Sequence, residues 1–249
     1  MKKIICLFSA LALVVTSCTS EDSSNASSIK PKKITHLYSD ADDNYITDMV
    51  YDGNKLVSET DDDGFTIKYT YTGNVITKTE DFNEENELQS TSEFTYVNGK
   101  MSTEVQKNPD ASQYYKIKYT HNADGTISFE GGYINAVTGA AEGEATRTGK
   151  YTYKDGNMIR YENSYNGSEN ATYTYEYDNK NNPIKNVLGG NLLIGWQENS
   201  SSNNLIKVSA TNSTFVTTYS YTYNEDNFPL EQKQFGEGGD LNETVQYAY

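Results

Sequence analysis

The sequence predicts an all-β protein: an antiparallel meander of tandem β-hairpins forming a curved sheet or a partly closed, barrel-like shell. Three observations point there. Tyrosine supplies 22 of the 249 residues and recurs at strand-like intervals. Around it apolar and polar residues alternate with a period of two, the signature of half-buried antiparallel strands. Short turns rich in Gly, Asn and Asp interrupt these stretches, and no window after the N-terminal segment has helical spacing.

The recurring unit is a strand ending in Tyr, a tight turn, and a strand opening with an apolar residue. Its short copies are Tyr51-Asp52-Gly53-Asn54-Lys55-Leu56, Tyr71-Thr72-Gly73-Asn74-Val75-Ile76, Tyr96-Val97-Asn98-Gly99-Lys100-Met101 and Tyr153-Lys154-Asp155-Gly156-Asn157-Met158. Longer turns separate Tyr119 from Ile127, Tyr177 from Ile184 and Tyr223 from Leu230, and Trp196 stands in for Tyr in a degenerate copy before Leu205 and Ile206. With an opening strand near Tyr38 and a closing one at Tyr247 and Tyr249, the chain holds about 16 to 18 strands.

In the short copies Tyr at position i has an apolar residue at i+5. A two-residue loop at i+2 and i+3 sets those positions opposite one another. The pairs Tyr51/Leu56, Tyr71/Ile76, Tyr96/Met101 and Tyr153/Met158 are therefore expected to meet across their hairpins, each contributing about 0.2 to 1 kcal/mol. Ile67, Tyr69 and Tyr71 share one face of a strand while Thr66, Lys68 and Thr70 share the other; Tyr173, Tyr175 and Tyr177 repeat the pattern, as do Tyr219, Tyr221 and Tyr223.

Tyr175-Glu176-Tyr177-Asp178-Asn179-Lys180-Asn181-Asn182-Pro183-Ile184 resembles the YD repeat of RHS-type proteins. Tyr151 to Met158 and Tyr221 to Leu230 are similar but depart at the Asp. The likeness spans most of residues 34–249, which also resemble repeat-bearing Bacteroidota lipoproteins of unknown function. RHS shells enclose a toxin; this chain has no room for one, so that role is not carried over.

The N-terminus supplies an address. Lys2 and Lys3 precede an apolar stretch from Ile4 to Val15, and Val15-Thr16-Ser17-Cys18 closes it with small residues before a cysteine. This is a secretory signal with a lipobox, too short for the roughly 20 apolar residues of a membrane-spanning helix. It resembles bacterial lipoprotein signals, which implies cleavage after Ser17 and acylation of Cys18. The expected organisation is a signal peptide over 1–17, lipidated Cys18 with a flexible tether to residue 33, and the hairpin domain over 34–249. Glu21 and Asp22, just past the cysteine, resemble the acidic surface-export signal of Bacteroidota lipoproteins. The expected location is the outer membrane, at its periplasmic face or on the cell surface.

Losing Lys2 and Lys3 with the signal takes the formal charge from −15 to −17. So acidic a protein repels phosphate backbones, which argues against nucleic acid as a partner. Cys6 leaves with the signal and Cys18 is the lipid site, so the hairpin domain has no thiol chemistry. With His36 and His121 its only histidines, zinc sites and Ser-His-Asp triads are hard to assemble, and His121 reads as a turn residue. Asp40, Asp42 and Asn44 have the alternating oxygens of a calcium loop, but Tyr45 and Tyr51 stand where an EF-hand needs Gly and Glu. No metal or other cofactor is expected. Binding, if mediated by aromatic side chains, falls to Trp196, Tyr173, Tyr175, Tyr219 and Tyr221. Three functions fit: a noncatalytic anchored lipoprotein that binds a glycan or protein partner, an outer-membrane porin-like barrel, and a carboxylate-dependent hydrolase.

Overall fold

A computed structural model describes residues 29–170, 172–195, 201–211 and 213–249. Within these, the chain runs through β1 (Lys33–Tyr38), β2 (Tyr45–Asp52), β3 (Lys55–Asp61), β4 (Thr66–Thr72), β5 (Val75–Phe82), β6 (Leu88–Val97), β7 (Lys100–Lys107), β8 (Gln113–His121) and β9 (Ile127–Asn135). It continues through β10 (Arg147–Lys154), β11 (Asn157–Tyr165), the two-residue β12 (Ser168–Glu169), β13 (Tyr173–Tyr177), β14 (Leu205–Ala210), β15 (Val216–Tyr223), β16 (Pro229–Phe235) and β17 (Leu241–Ala248). Successive strands pair antiparallel; β12 is a side piece on β11, which pairs onward with β13. β1 also pairs with β17 from Lys33↔Ala248 to Tyr38↔Glu243, so sixteen strands close a barrel and no edge is left open.

The turns behave as their residues require. Gly53 and Gly73 take φ of 58° and 61° as the first loop residue, the type II′ requirement, whereas Asn98-Gly99 and Asp155-Gly156 are both left-handed, the type I′ requirement. All four expected pairs are in register: Tyr51↔Leu56, Tyr71↔Ile76, Tyr96↔Met101 and Tyr153↔Met158.

A device invisible in the pattern follows each of these turns. On the returning strand one extra residue bulges out: Val57, Thr77, Ser102 and Ile159 in the short copies, with Ile206 and Leu230 in the two long ones. A bulge coils the strand, which a barrel needs in order to close, but it breaks the ladder beside it. In all six cases a side chain from the next strand of the ring reaches the residue preceding the bulge. The hydroxyls of Tyr96, Tyr177, Tyr221 and Tyr249 donate to the carbonyls of Ile76, Met158, Leu205 and Pro229 at 2.7 to 2.8 Å. His121 Nε2 does so to Met101 at 2.8 Å, and the Tyr71 hydroxyl accepts from the Leu56 amide at 3.1 Å. His121 is thus a strand residue facing the lumen, not the turn residue expected: period two places it with Ile117 and Tyr119.

The alternation assigns the two walls. Facing inward are Tyr69, Ile76, Phe94, Met101, Phe129, Tyr151, Met158, Tyr161 and Tyr175, all buried. Phe129, Tyr151, Tyr161 and Tyr173 stack in sequence across β9, β10, β11 and β13, with centroids 5.0 to 6.1 Å apart. Glycines admit these rings: a Cβ on Gly149 would lie 2.1 Å from the Glu162 carbonyl oxygen and 2.5 Å from Phe129, and one on Gly131 would lie 2.4 Å from the Tyr115 hydroxyl. Facing outward are Lys68 and Thr70 on β4, Glu93 and Thr95 on β6, Lys116 and Lys118 on β8, Lys150 and Thr152 on β10, and Glu231 and Lys233 on β16. Ion pairs such as Lys33–Asp48 and Lys78–Glu80, both at 2.8 Å, cross this outer wall.

The connection from Tyr177 to Leu205 departs from expectation. Tyr177 pairs with Leu205 and not with a strand at Ile184; Trp196, expected in a degenerate hairpin, lies outside the described residues. The described residues of this connection, 178–195 and 201–204, fold across the turn end of the barrel instead. It bonds to the β2–β3 turn through Leu188 N and Asn54 O (2.8 Å) and to the diametrically opposite β10–β11 turn through Ser202 N and Gly156 O (3.1 Å). Val187, Leu193 and Ile194 are buried and join the barrel core, so the segment is a plug. Residues 29–33, expected in the tether, belong to the barrel: Pro31 is buried and Lys32 N donates to Ala248 O at 2.6 Å.

Three substitutions separate these effects. Tyr96→Phe keeps the ring and orphans the Ile76 carbonyl, so it is expected to cost about 1 to 3 kcal/mol. Gly149→Ala overpacks the aromatic stack at about 2 to 3 kcal/mol, whereas Gly53→Ala, with open space around it, loses only the left-handed preference of glycine, about 1 kcal/mol. Urea denaturation of the three variants checks the order.

Candidate functional site: luminal cavity and open mouth

Beneath the plug the lumen keeps a cavity of about 140 Å³. It is built by inward positions of β1 and β13 to β17, with Tyr177 and Leu205 towards the plug and Gln234 and Glu243 towards the other end. Tyr219, Tyr221 and Tyr247 supply aromatic wall; Tyr221 is anchored by its bond to Leu205, and Tyr247 donates to Gln232 Oε1 at 3.4 Å. Gln234 faces Glu243 across the β16–β17 pair. His36 Nδ1 lies 2.6 Å from Glu243 Oε1, and its ring stacks on Tyr45 at 4.3 Å. The hydrogen bond from His36 holds the Glu243 carboxyl below the ordinary carboxylate range; burial opposes the shift and the Tyr38 hydroxyl assists it.

At the end opposite the plug the loops bond to their neighbours around the ring, as Ala136 N does to Ser112 O at 3.0 Å and Thr211 N to Thr172 O at 2.8 Å, and among the described residues no loop hydrogen bond spans the mouth. The longest, residues 136–146, continues the wall beside β9, with Glu142 N bonded to Tyr133 O and Thr146 N to Gly131 O, both at 2.9 Å. These eight loops carry Asp40, Asp42, Asp43, Asp62, Asp63, Glu84, Glu85 and Glu87 on one side of the ring, and Asp110, Glu142, Glu144, Glu237 and Asp240 on the other. Their described residues include no Lys or Arg. Exposed apolar groups share this end: Phe65 (51 % exposed), Val137 (95 %), Tyr165 (56 %), Phe215 (42 %) and Leu241 (49 %).

The residues singled out from sequence separate. Tyr219 and Tyr221 line the cavity. Tyr175 is core, and Tyr173 is half-buried in the aromatic stack. Trp196 and Cys18 lie outside the described residues. Asp40 caps a 3-10 turn by accepting from Asp42 N at 3.2 Å, and Asn44 Oδ1 accepts from Tyr38 N at 2.7 Å, so those oxygens serve the β1–β2 loop. Among the described residues no cluster of His, Cys, Asp or Glu is arranged to hold a metal ion. The luminal carboxylates have their own donors: Glu104 accepts from Tyr119 at 3.0 Å and from Gln106 at 2.7 Å, and Asp81 accepts from Ser90. His36, Gln234 and Glu243 were not singled out from sequence. The signal for them was alternation alone, which sets His36 in phase with Ile34 and Tyr38.

No protein-family model and no curated protein matches the chain. Similar solved structures exist. A porin-like protein from Bacteroides uniformis shares 13% identity at a TM-score of 0.55, over 89% of this chain and 97% of that one. A porin-like protein from Bacteroides vulgatus shares 13% identity at a TM-score of 0.57, over 89% and 98%. At this identity the likeness is one of fold: a closed, antiparallel, all-β barrel.

Because the folded Glu243 carboxyl titrates below its unfolded value, its bond to His36 stabilises the barrel above the ordinary carboxylate range. That contribution disappears as pH falls through the folded value. His36→Phe is therefore expected to lower the urea midpoint at neutral pH and to leave it closer to the parent's in acid; equal losses at both would contradict this account.

Proposed function

We propose that the chain is a noncatalytic, membrane-anchored binding or scaffold protein, whose barrel stands in water and offers its open mouth to a glycan or protein partner. The observation that carries this reading is the outer wall. Strands that face lipid take about 9 to 11 residues with an outward apolar band; here Lys, Glu, Thr and Ser break up the outward rows, in which Val97, Val105, Tyr114 and Ile134 stand among them, and the stacked aromatic rows face the lumen. The anchor is the lipid on Cys18, and the tether joins the barrel at its plug end, where Ile29 O accepts from Asn186 Nδ2 at 2.9 Å. The mouth would then point away from the membrane, with the exposed aromatic and apolar side chains of its rim as contact groups. The acidic loops argue against nucleic acid as the partner.

A second reading, a porin-like barrel set in the outer membrane, is favoured by the two porin-like structures of the same fold. Both readings agree on an outer-membrane association, at the periplasmic face or the cell surface. Cys18→Ser separates them. The anchored reading expects the variant to leave the membrane fraction and partition into the aqueous phase of a detergent cloud-point extraction as a soluble monomer. Retention of the Cys18→Ser protein in membranes and in the detergent phase would establish the spanning barrel instead.

A further inference from the structure

We propose that the luminal cavity binds an alkylammonium group that enters through the acidic mouth. The inference rests on the barrel standing in water and names the chemistry its mouth admits. Three features converge on it.

The first is the route. The plug covers the turn end and, among the described residues, no loop hydrogen bond spans the mouth, so a ligand passes the loops that carry Asp62, Asp63, Glu84 and Glu85 and have no compensating Lys or Arg. Such a ring raises the local concentration of cations and repels anions.

The second is the wall. Tyr219, Tyr221 and Tyr247 line the cavity together with Gln234, His36 and the carboxylate of Glu243; His36 Nδ1 and the Tyr38 hydroxyl take two of that carboxylate's about four acceptor sites, and no Lys or Arg lines the cavity. The luminal guanidinium of Arg147, on β10, is engaged by the Tyr161 hydroxyl and lies 5.6 Å from the Phe129 ring centroid. Aromatic side chains with one carboxylate recompense an ammonium for lost water, and an amide such as Gln234 accepts its remaining proton.

The third is depth and size. Glu243 is two residues below Leu241, the first residue of β17, which sets it about 7 Å inside the rim. A four-carbon stem spans that depth. The volume of about 140 Å³ suits an ammonium head with a short chain and is too small for an oligosaccharide. The same head comes from a free polyamine or from a lysine of a polypeptide docked on the rim.

The test is calorimetric titration of the purified lipoprotein in detergent with four probes: spermidine, a lysine-rich peptide, the same peptide with acetylated lysines, and glucose. The expected result is saturable binding of spermidine, the lysine peptide or both, with none of the two neutral probes. Spermidine alone assigns a free amine, and the peptide alone assigns a docked lysine. Glu243→Gln should weaken binding by about tenfold, while Asp62→Asn with Asp63→Asn should slow association and leave dissociation unchanged. Gln234→Leu replaces Glu243→Gln should the latter not fold, as judged by circular dichroism. Equal binding of the acetylated peptide, binding of glucose alone, no binding of any probe, or an affinity indifferent to a folded Glu243→Gln would each overturn the proposal. Membrane retention of Cys18→Ser is a separate measurement, so failure of the anchored reading is recognised independently.

Discussion

The barrel depends on one repeated hydrogen bond, from a luminal side chain to the backbone beside a bulge on the neighbouring strand. Closing a ring of short strands requires coiling, and each bulge supplies it at the expense of a ladder bond. A backbone group left unpaired in the lumen would cost 1 to 3 kcal/mol by the usual measure, about as much as a whole cross-strand pair contributes. Tyrosine meets both demands with one side chain. Its ring fills the lumen and its hydroxyl reaches the carbonyl, as Tyr96 does for Ile76 and Tyr177 for Met158. His121 performs the same task for Met101, and the Tyr71 hydroxyl accepts from the Leu56 amide, so the requirement is a hydrogen-bonding group at the end of a ring.

That economy has a consequence for the surroundings of the barrel. Once the rings have turned inward, period-two alternation sends Thr, Lys and Glu outward on strands such as β4, β6, β8 and β10. The result shares its fold with the porin-like structures, and ion pairs such as Lys33–Asp48 on its outer wall contribute little stability. Rings pack the lumen as a core, and the plug residues of 178–195 and 201–204 lie against it at one end. The rim and the cavity differ in chemistry: carboxylates and exposed apolar groups at the rim, and tyrosines, Gln234 and the His36–Glu243 pair in the cavity.

Much of this was legible from residues because it is local. Tyr at i and an apolar residue at i+5 around Gly-Asn, Asn-Gly or Asp-Gly leave one register, so Tyr51/Leu56 and its three counterparts follow from turn geometry. The YD-like segment misled for an equally local reason. Asp178 was expected to open a turn towards Ile184, but its carboxylate accepts from Asn204 N at 3.1 Å and from the Tyr223 hydroxyl, fastening the two ends of the plug. Those partners are 26 and 45 residues away, beyond the reach of any pattern.

The sequence by itself determined strand identity, turn type and the face on which the tyrosines of the repeats lie, since each depends on neighbours within a few positions. Only the tertiary structure decided that the sheet closes, that 178–195 and 201–204 form a plug, and that His36, Gln234 and Glu243 meet in one cavity. Closure joins β1 to β17, elements at opposite ends of the chain; which strands become neighbours there is set by the summed coiling of all the bulges, a property of the ring that no single segment contains.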